Sequence, residues 1–125
     1  MQYEAVELAP PGEGEVRIRH QAIGVNFVDT YFRSGLYAWP KEGPLTPGAE
    51  GAGVVEAVGI HVGHLQPGDR VAYTMPVGAY ATHRNLPADR LVKIPQGVSD
   101  EMAAAVMVKG LTAYYLLFRT FPVKK

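Results

Sequence analysis

Short β-like runs, cut by turns rich in glycine and proline, fill most of this chain and restrict it to folds built from short strands. Of its 125 residues, 14 are glycine and 10 are proline. Residues 16–25 alternate in part, with Val16, Ile18, His20 and Ala22 on one side and Arg17, Arg19 and Gln21 on the other. Residues 53–58 are rich in valine, and 70–74 follow the turn Pro67-Gly68-Asp69. In such a turn proline presets φ and glycine accepts the left-handed position. Residues 79–84 and 91–94 complete the set, and short strands separated by turn signals predict an all-β barrel or sandwich. The length suits about one domain, large enough to bury roughly two-thirds of the surface its unfolded form exposes.

At Ser99 the pattern changes. Ser99-Asp100-Glu101 opens a helix, with a hydroxyl to cap free N–H groups and two acids suited to a positive helix end. Met102 stands where a capping box places Glu or Gln, so the cap is partial. Alanine-rich sequence runs to Val108, then Lys109-Gly110, then a second apolar stretch over 111–118. Glycine costs about 1 kcal/mol relative to alanine inside a helix, so Gly110 is expected to break or kink one helix into two. Pro122 is expected to end the pattern. Leu111, Tyr114, Tyr115, Leu117 and Phe118 put apolar groups around much of the second helix, which therefore expects cover on several sides. A barrel supplies one. The expected division is a β domain over 1–98 and, over 99–125, the start of a helical connection to something further.

Charge excludes one large class. Twelve basic and twelve acidic side chains cancel, with no block of like charge. Nucleic-acid binders carry a basic field, because phosphate neutralisation dominates their affinity. There is no cysteine, hence no disulfide framework and no thiolate zinc site. The N-terminus lacks the basic and apolar regions of a secretory signal. The apolar run at 103–108 is far short of the roughly 20 residues needed to cross a bilayer. A soluble, cytoplasmic protein without nucleic-acid or membrane partners is the expectation.

The chemistry-bearing stretch is 23–37, IGVNFVDTYFRSGLY. It sets Asn26, Asp29, Tyr31, Arg33 and Tyr37 after a strand-like segment, with Gly35 as a break. It contains no nucleophile–base pair and no metal-ligand spacing. The plainer reading is a polar loop bonding its own backbone, which Asn and Asp do readily. The other is a small polar pocket: a phenol can donate to a carbonyl oxygen on which charge develops, and an amide both donates and accepts.

Two further groups invite stronger readings than they carry. Gly51-Ala52-Gly53 suggests a dinucleotide fingerprint, but Glu56 occupies the third glycine position and the sequence after it is strand-like. The glycines are better explained by a curved strand passing close to its neighbours. His61 and His64 lie three apart without a third ligand, which describes a solvated loop better than a metal site. His20, on the apolar side of its strand, is expected to be a hydrogen-bonded, half-buried histidine.

The segments NFVDTYFRSGLY and VKGLTAYYLL resemble those of the zinc-free quinone oxidoreductases of the medium-chain dehydrogenase/reductase superfamily, the zeta-crystallin-like group. The similarity runs from about Glu15 to the C-terminus. It implies a mainly β, GroES-like barrel as the catalytic domain, with C-terminal helices leading toward a Rossmann domain that would hold NADPH. By that resemblance Asn26, Tyr31, Lys109 and Thr112 contact the cofactor, while Tyr31 and Tyr37 form the catalytic, substrate-side rim. Asp29 and Arg33 hold the segment in place. Where zinc-dependent relatives carry a histidine ligand before the glutamate of 47–53, this chain has Ala49, so no metal is expected.

The implied activity is hydride transfer from NADPH to a quinone. The chain by itself is expected to be inactive or nearly so, and the parent enzyme a homodimer. An alkenal or enone double-bond reductase of the same superfamily, and a non-catalytic GroES-like interaction module, are the competing readings.

Overall fold

The computed structural model describes residues 2–39, 46–121 and 123–124. Five strands form one antiparallel sheet: β1 (Glu15–Gly24), β2 (Glu50–Val58), β3 (Arg70–Thr74), β4 (His83–Pro87) and β5 (Val92–Lys93), in the order β4-β1-β2-β3-β5. The expected β-rich domain is there, and the expected strand over 70–74 coincides with β3. Two register shifts in β1, at Arg17/Ile18 and His20/Ala22, bend it against β2. Such bulges increase local twist and curl a sheet. Val16, Ile18, Val55, Leu65, Val71, Tyr73 and Leu86 pack into one core cluster, all buried.

Gly53 shows why the glycine signature belongs to the fold. A Cβ there would overlap the carbonyl oxygen of Arg19 on the neighbouring strand. Close strand approach, and not a phosphate cradle, therefore explains that residue.

Three local expectations need correction. The stretch after β1 is a helix, α1 (Phe27–Ser34), and not a loop. Asp29 does bond the local backbone, but at a helix start: its Oδ2 accepts the Asn26 backbone N–H at 2.9 Å, the reciprocal half of a capping box. Gly35 ends it in the left-handed region at φ 79°, as glycine commonly does at a helix C-terminus.

The strand expected at 79–84 begins only at His83. Residues 79 and 80 donate their N–H groups to Gly48 and Pro47 carbonyls, at 3.1 and 2.9 Å, so this backbone closes a loop instead of a ladder.

The third correction concerns Gly110. One helix, α2 (Asp100–Tyr114), runs straight through it and passes into a π-helical turn over Tyr115–Thr120. Packing outweighs the glycine penalty: Ala103 and Ala104 are buried against Ala52 of β2 and Ala72 of β3. A side chain at position 110 would also press on Val106, its Cβ 2.7 Å from Cγ2. The start of α2 is as expected, with Ser99 Oγ accepting the Met102 N–H at 3.2 Å. Arg70 pins the same end through Asp100, at 2.9 Å. Pro122 lies outside the described residues.

From Leu111 onward the helix is bare. Leu111, Tyr114, Tyr115, Leu116, Leu117 and Phe118 are 46–62 % exposed. By length and composition, Asp100–Thr120 is also the one helix among the described residues that would suffice to cross a membrane. Counting only the uninterrupted run at 103–108 missed this, because Lys109 and Gly110 divide a longer apolar segment.

Candidate active site

Glu50 opens β2 with a carboxylate that has no exposed surface. Burying a charge is costly unless it is paired and hydrogen-bonded, and this one is both. Oε1 accepts from Asn26 Nδ2 at 2.8 Å and from Lys109 Nζ at 2.7 Å. Oε2 accepts the backbone N–H of Val108 at 2.6 Å. One carboxylate thus joins the start of α1, the start of β2 and the middle of α2.

The same contacts fix the orientation of the Asn26 amide. Its nitrogen donates to Glu50, and its oxygen accepts from Lys109 Nζ at 3.0 Å. A flipped amide would set nitrogen against ammonium and oxygen against carboxylate. Each end of Asn26 keeps spare capacity, one N–H and one lone pair. Lys109 likewise uses two of its three ammonium hydrogens here, and its side chain is 55 % exposed. Thr112 is exposed one turn further along α2.

Of the expected site residues, the fold brings Asn26 and Lys109 into contact across 83 positions of sequence. Tyr31 and Tyr37 form a second group, their rings packed edge to face with centroids 5.4 Å apart. Phe32 stacks edge-on against Tyr37 and Trp39 behind them. Both phenols are open to solvent, 37 % and 49 % exposed.

Asp29 is buried within the site, and its Oδ2 also accepts the Tyr80 hydroxyl at 3.1 Å. Desolvation, with help from the hydrogen bond to Asp29 and the charge there, pushes the Tyr80 phenol up to about 12. It is therefore a donor at any ordinary pH. Arg33 is exposed.

Sequence reading missed Glu50, treating 47–53 as a glycine signature alone. The signal was an acid within an otherwise apolar and glycine-rich segment over 47–53, which must be either exposed or paired. Tyr80 gave no comparable signal, because its partner Asp29 lies 51 residues away.

His20 behaves as expected for a half-buried histidine. Nδ1 faces the Ala81 carbonyl at 2.6 Å and Nε2 the Tyr73 hydroxyl at 2.8 Å. Burial holds its imidazole below the ordinary value. His61 lies 2.8 Å from Glu13, and His64 lies 3.1 Å from the Ala88 carbonyl. Among the described residues, no three His, Cys, Asp or Glu side chains gather closely enough to hold a metal ion. Ala49 is buried.

The sequence signature of the alcohol dehydrogenase GroES-like domain matches residues 12–96. The chain belongs to that family. This GroES-like domain is 51 % identical over 125 residues to a quinone oxidoreductase of Pseudomonas aeruginosa, covering 99 % of the chain and 38 % of that protein. The fold superposes on the crystal structure of a Pseudomonas syringae pv. tomato quinone oxidoreductase with a TM-score of 0.90 at 52 % identity, covering 98 % of this chain and 38 % of that one. The Escherichia coli quinone oxidoreductase complexed with NADPH gives a TM-score of 0.89 at 44 % identity, covering 97 % of this chain and 37 % of that one. The GroES-like domain thus spans little more than a third of the relatives it matches.

Proposed function

We propose that this chain supplies the catalytic half of an NADPH-dependent quinone oxidoreductase that works without zinc, and that residues 99–125 begin the connection to a cofactor-binding domain. The observation that carries this reading is the Asn26–Lys109 contact. Two segments that resemble cofactor-facing parts of that enzyme group meet at one place, and a buried carboxylate holds them there. The relatives named quinone oxidoreductases, one of them solved with NADPH, support it.

The donor set fits a nicotinamide nucleotide. Asn26 offers an N–H and a lone pair in fixed orientation, which suits a carboxamide or a ribose hydroxyl. Lys109 offers an N–H on an accessible ammonium, and Thr112 a hydroxyl one turn away. NADPH, when bound, supplies the hydride. The chain's own part is orientation: Glu50 holds Asn26 and Lys109, and they hold the cofactor's reactive end against the barrel. In this reading the exposed hydroxyls of Tyr31 and Tyr37 donate to the oxyanion that develops on a quinone. A quinone is already a good electrophile, so in this reading it needs no Lewis acid. Solvent supplies the proton at this open rim.

The bare face of the helix from Leu111 to Phe118 is the surface that the remainder of the enzyme covers in this reading. Cytoplasmic location and a homodimeric parent enzyme belong to the same proposal. Amide NMR of the 125-residue chain titrated with NADPH tests it. Saturable shifts should centre on Asn26, Lys109 and Thr112 and vanish in Lys109→Met; shifts confined to other surfaces would remove the assignment.

A further inference from the structure

The loop over residues 76–82 is held along most of its length. Arg84 donates to the carbonyls of Pro76 and Val77, at 3.0 and 3.2 Å. The N–H groups of Gly78 and Ala79 reach the Gly48 carbonyl and that of Tyr80 the Pro47 carbonyl, at 2.9, 3.1 and 2.9 Å. His20 Nδ1 lies 2.6 Å from the Ala81 carbonyl, which can only accept, so that nitrogen carries the hydrogen. The Tyr80 ring rests on Gly48, where a Cβ would come within 2.5 Å of its Cδ1. So anchored, the loop presents the Tyr80 hydroxyl to the start of α1. That hydroxyl and the Asn26 backbone N–H meet on a single atom, Asp29 Oδ2, at 3.1 and 2.9 Å. The other carboxylate oxygen is buried without a hydrogen-bond partner among the described residues. Two donors on one atom therefore hold this side chain, and a shift of either is felt by the other.

We propose that Tyr80 is a positioning residue for cofactor binding: through Asp29 it fixes the backbone of Asn26, and so the direction in which the Asn26 amide offers its spare N–H and lone pair. The inference rests on the quinone oxidoreductase reading and deepens it. Glu50 and Lys109 hold the Asn26 amide at its tip. A side chain held only at the tip still pivots with its backbone, whereas one held at both ends meets its ligand already oriented. Orientation fixed beforehand lowers the cost of binding. Asp29 and Tyr80 supply the second hold. Tyr80 acts through Asp29 and makes no contact with the cofactor itself. A phenol suits this task, since burial keeps it protonated beside a carboxylate.

The test compares wild type with Tyr80→Phe, which removes one hydroxyl and keeps the ring, in the ¹⁵N-labelled 125-residue chain. Without ligand, exchange of the Asn26 amide with water should quicken roughly three- to tenfold, the worth of one net hydrogen bond. The amides of Val16, Ile18 and Val71, buried in the sheet, should keep their wild-type rates. In an NADPH titration, the Kd read from Asn26 and Lys109 should rise by a similar factor in the variant. Faster exchange shared equally by the sheet would make the hydroxyl a stabiliser of the whole domain and overturn the proposal. So would an unchanged Asn26 amide, or an unchanged Kd. A wild-type chain without NADPH shifts at Asn26, Lys109 or Thr112 overturns the broader reading and this inference with it. The wild-type titration alone thus tells the two failures apart.

Discussion

The ammonium of Lys109 lies 2.7 Å from the carboxylate of Glu50, and this pair couples the middle of α2 to the first residue of β2. Glu50 is wholly enclosed while Lys109 is half in water, so the two ends of the bridge are unequal. Removing the lysine leaves a buried anion with neutral donors only. Removing the acid leaves an ammonium that solvent can take over.

Lys109→Met should therefore destabilise the domain by about 3 kcal/mol, the low end for a broken buried pair because one partner is half exposed. Glu50→Gln should cost less, about 1–2 kcal/mol, from hydrogen bonds that are weakened or mismatched. Urea denaturation of both variants checks the order. A Lys109→Met midpoint equal to that of wild type would show that the bridge contributes nothing.

Gly24 faces this same acid. A Cβ at position 24 would overlap the Glu50 carboxylate, and that group has no free space into which to move. Gly24→Ala is expected to lose about 1–3 kcal/mol through overpacking and to shift the amide resonances of Asn26 and Val108. Unchanged resonances at those two positions would mean that the carboxylate is not held as tightly as described.

His20 makes stability depend on pH. Burial, chiefly, keeps its folded-state affinity for a proton below the ordinary value of 6.5, with the charges of Arg84 and His83 acting the same way and the Ala81 carbonyl opposing them. The unfolded chain takes up a proton below that value while the folded chain resists it. Stability is therefore full above about pH 6.5 and falls as the pH drops toward the folded value, by at most ~1.4 kcal/mol per pH unit. Denaturation midpoints between about pH 5 and 7 should show this slope, and in His20→Gln it should flatten whatever happens to absolute stability. An identical slope in the variant would assign the effect to other groups.

Tyr37 is half exposed, so its hydroxyl acts in a wet environment. In a dry site, loss of one oxyanion donor costs on the order of 10²-fold or more in rate. Here Tyr37→Phe, in the enzyme extended to the length of its relatives, should lower kcat/KM for a quinone by less than about tenfold. A loss of 10²-fold would show that the rim closes and dries during turnover.

Much of this was legible in the sequence because it depends on local rules. The turn at Pro67-Gly68-Asp69 placed β3, Ser99 placed the start of α2, and Gly35 stood out as a break, though not as the end of a helix. The close approach of strands at Gly53 followed from the glycines themselves. What was not legible depends on contacts made across the chain. Val28 and Thr30 are weak helix formers, so α1 exists by virtue of its caps and not of propensity. Gly110 stays helical because Ala103 and Ala104 find Ala52 and Ala72. Glu50 is a site residue only once Asn26 and Lys109 come to it.

The most direct measurement is steady-state NADPH oxidation with 1,4-benzoquinone. It compares the 125-residue chain alone with the same chain joined to the remainder of the Pseudomonas aeruginosa relative. The chain alone should run at background, the joined protein at ordinary enzymatic rates, and Lys109→Met within it should raise the KM for NADPH. Full activity in the chain alone, or a joined protein indifferent to Lys109→Met, would contradict the assignment of this face to the cofactor.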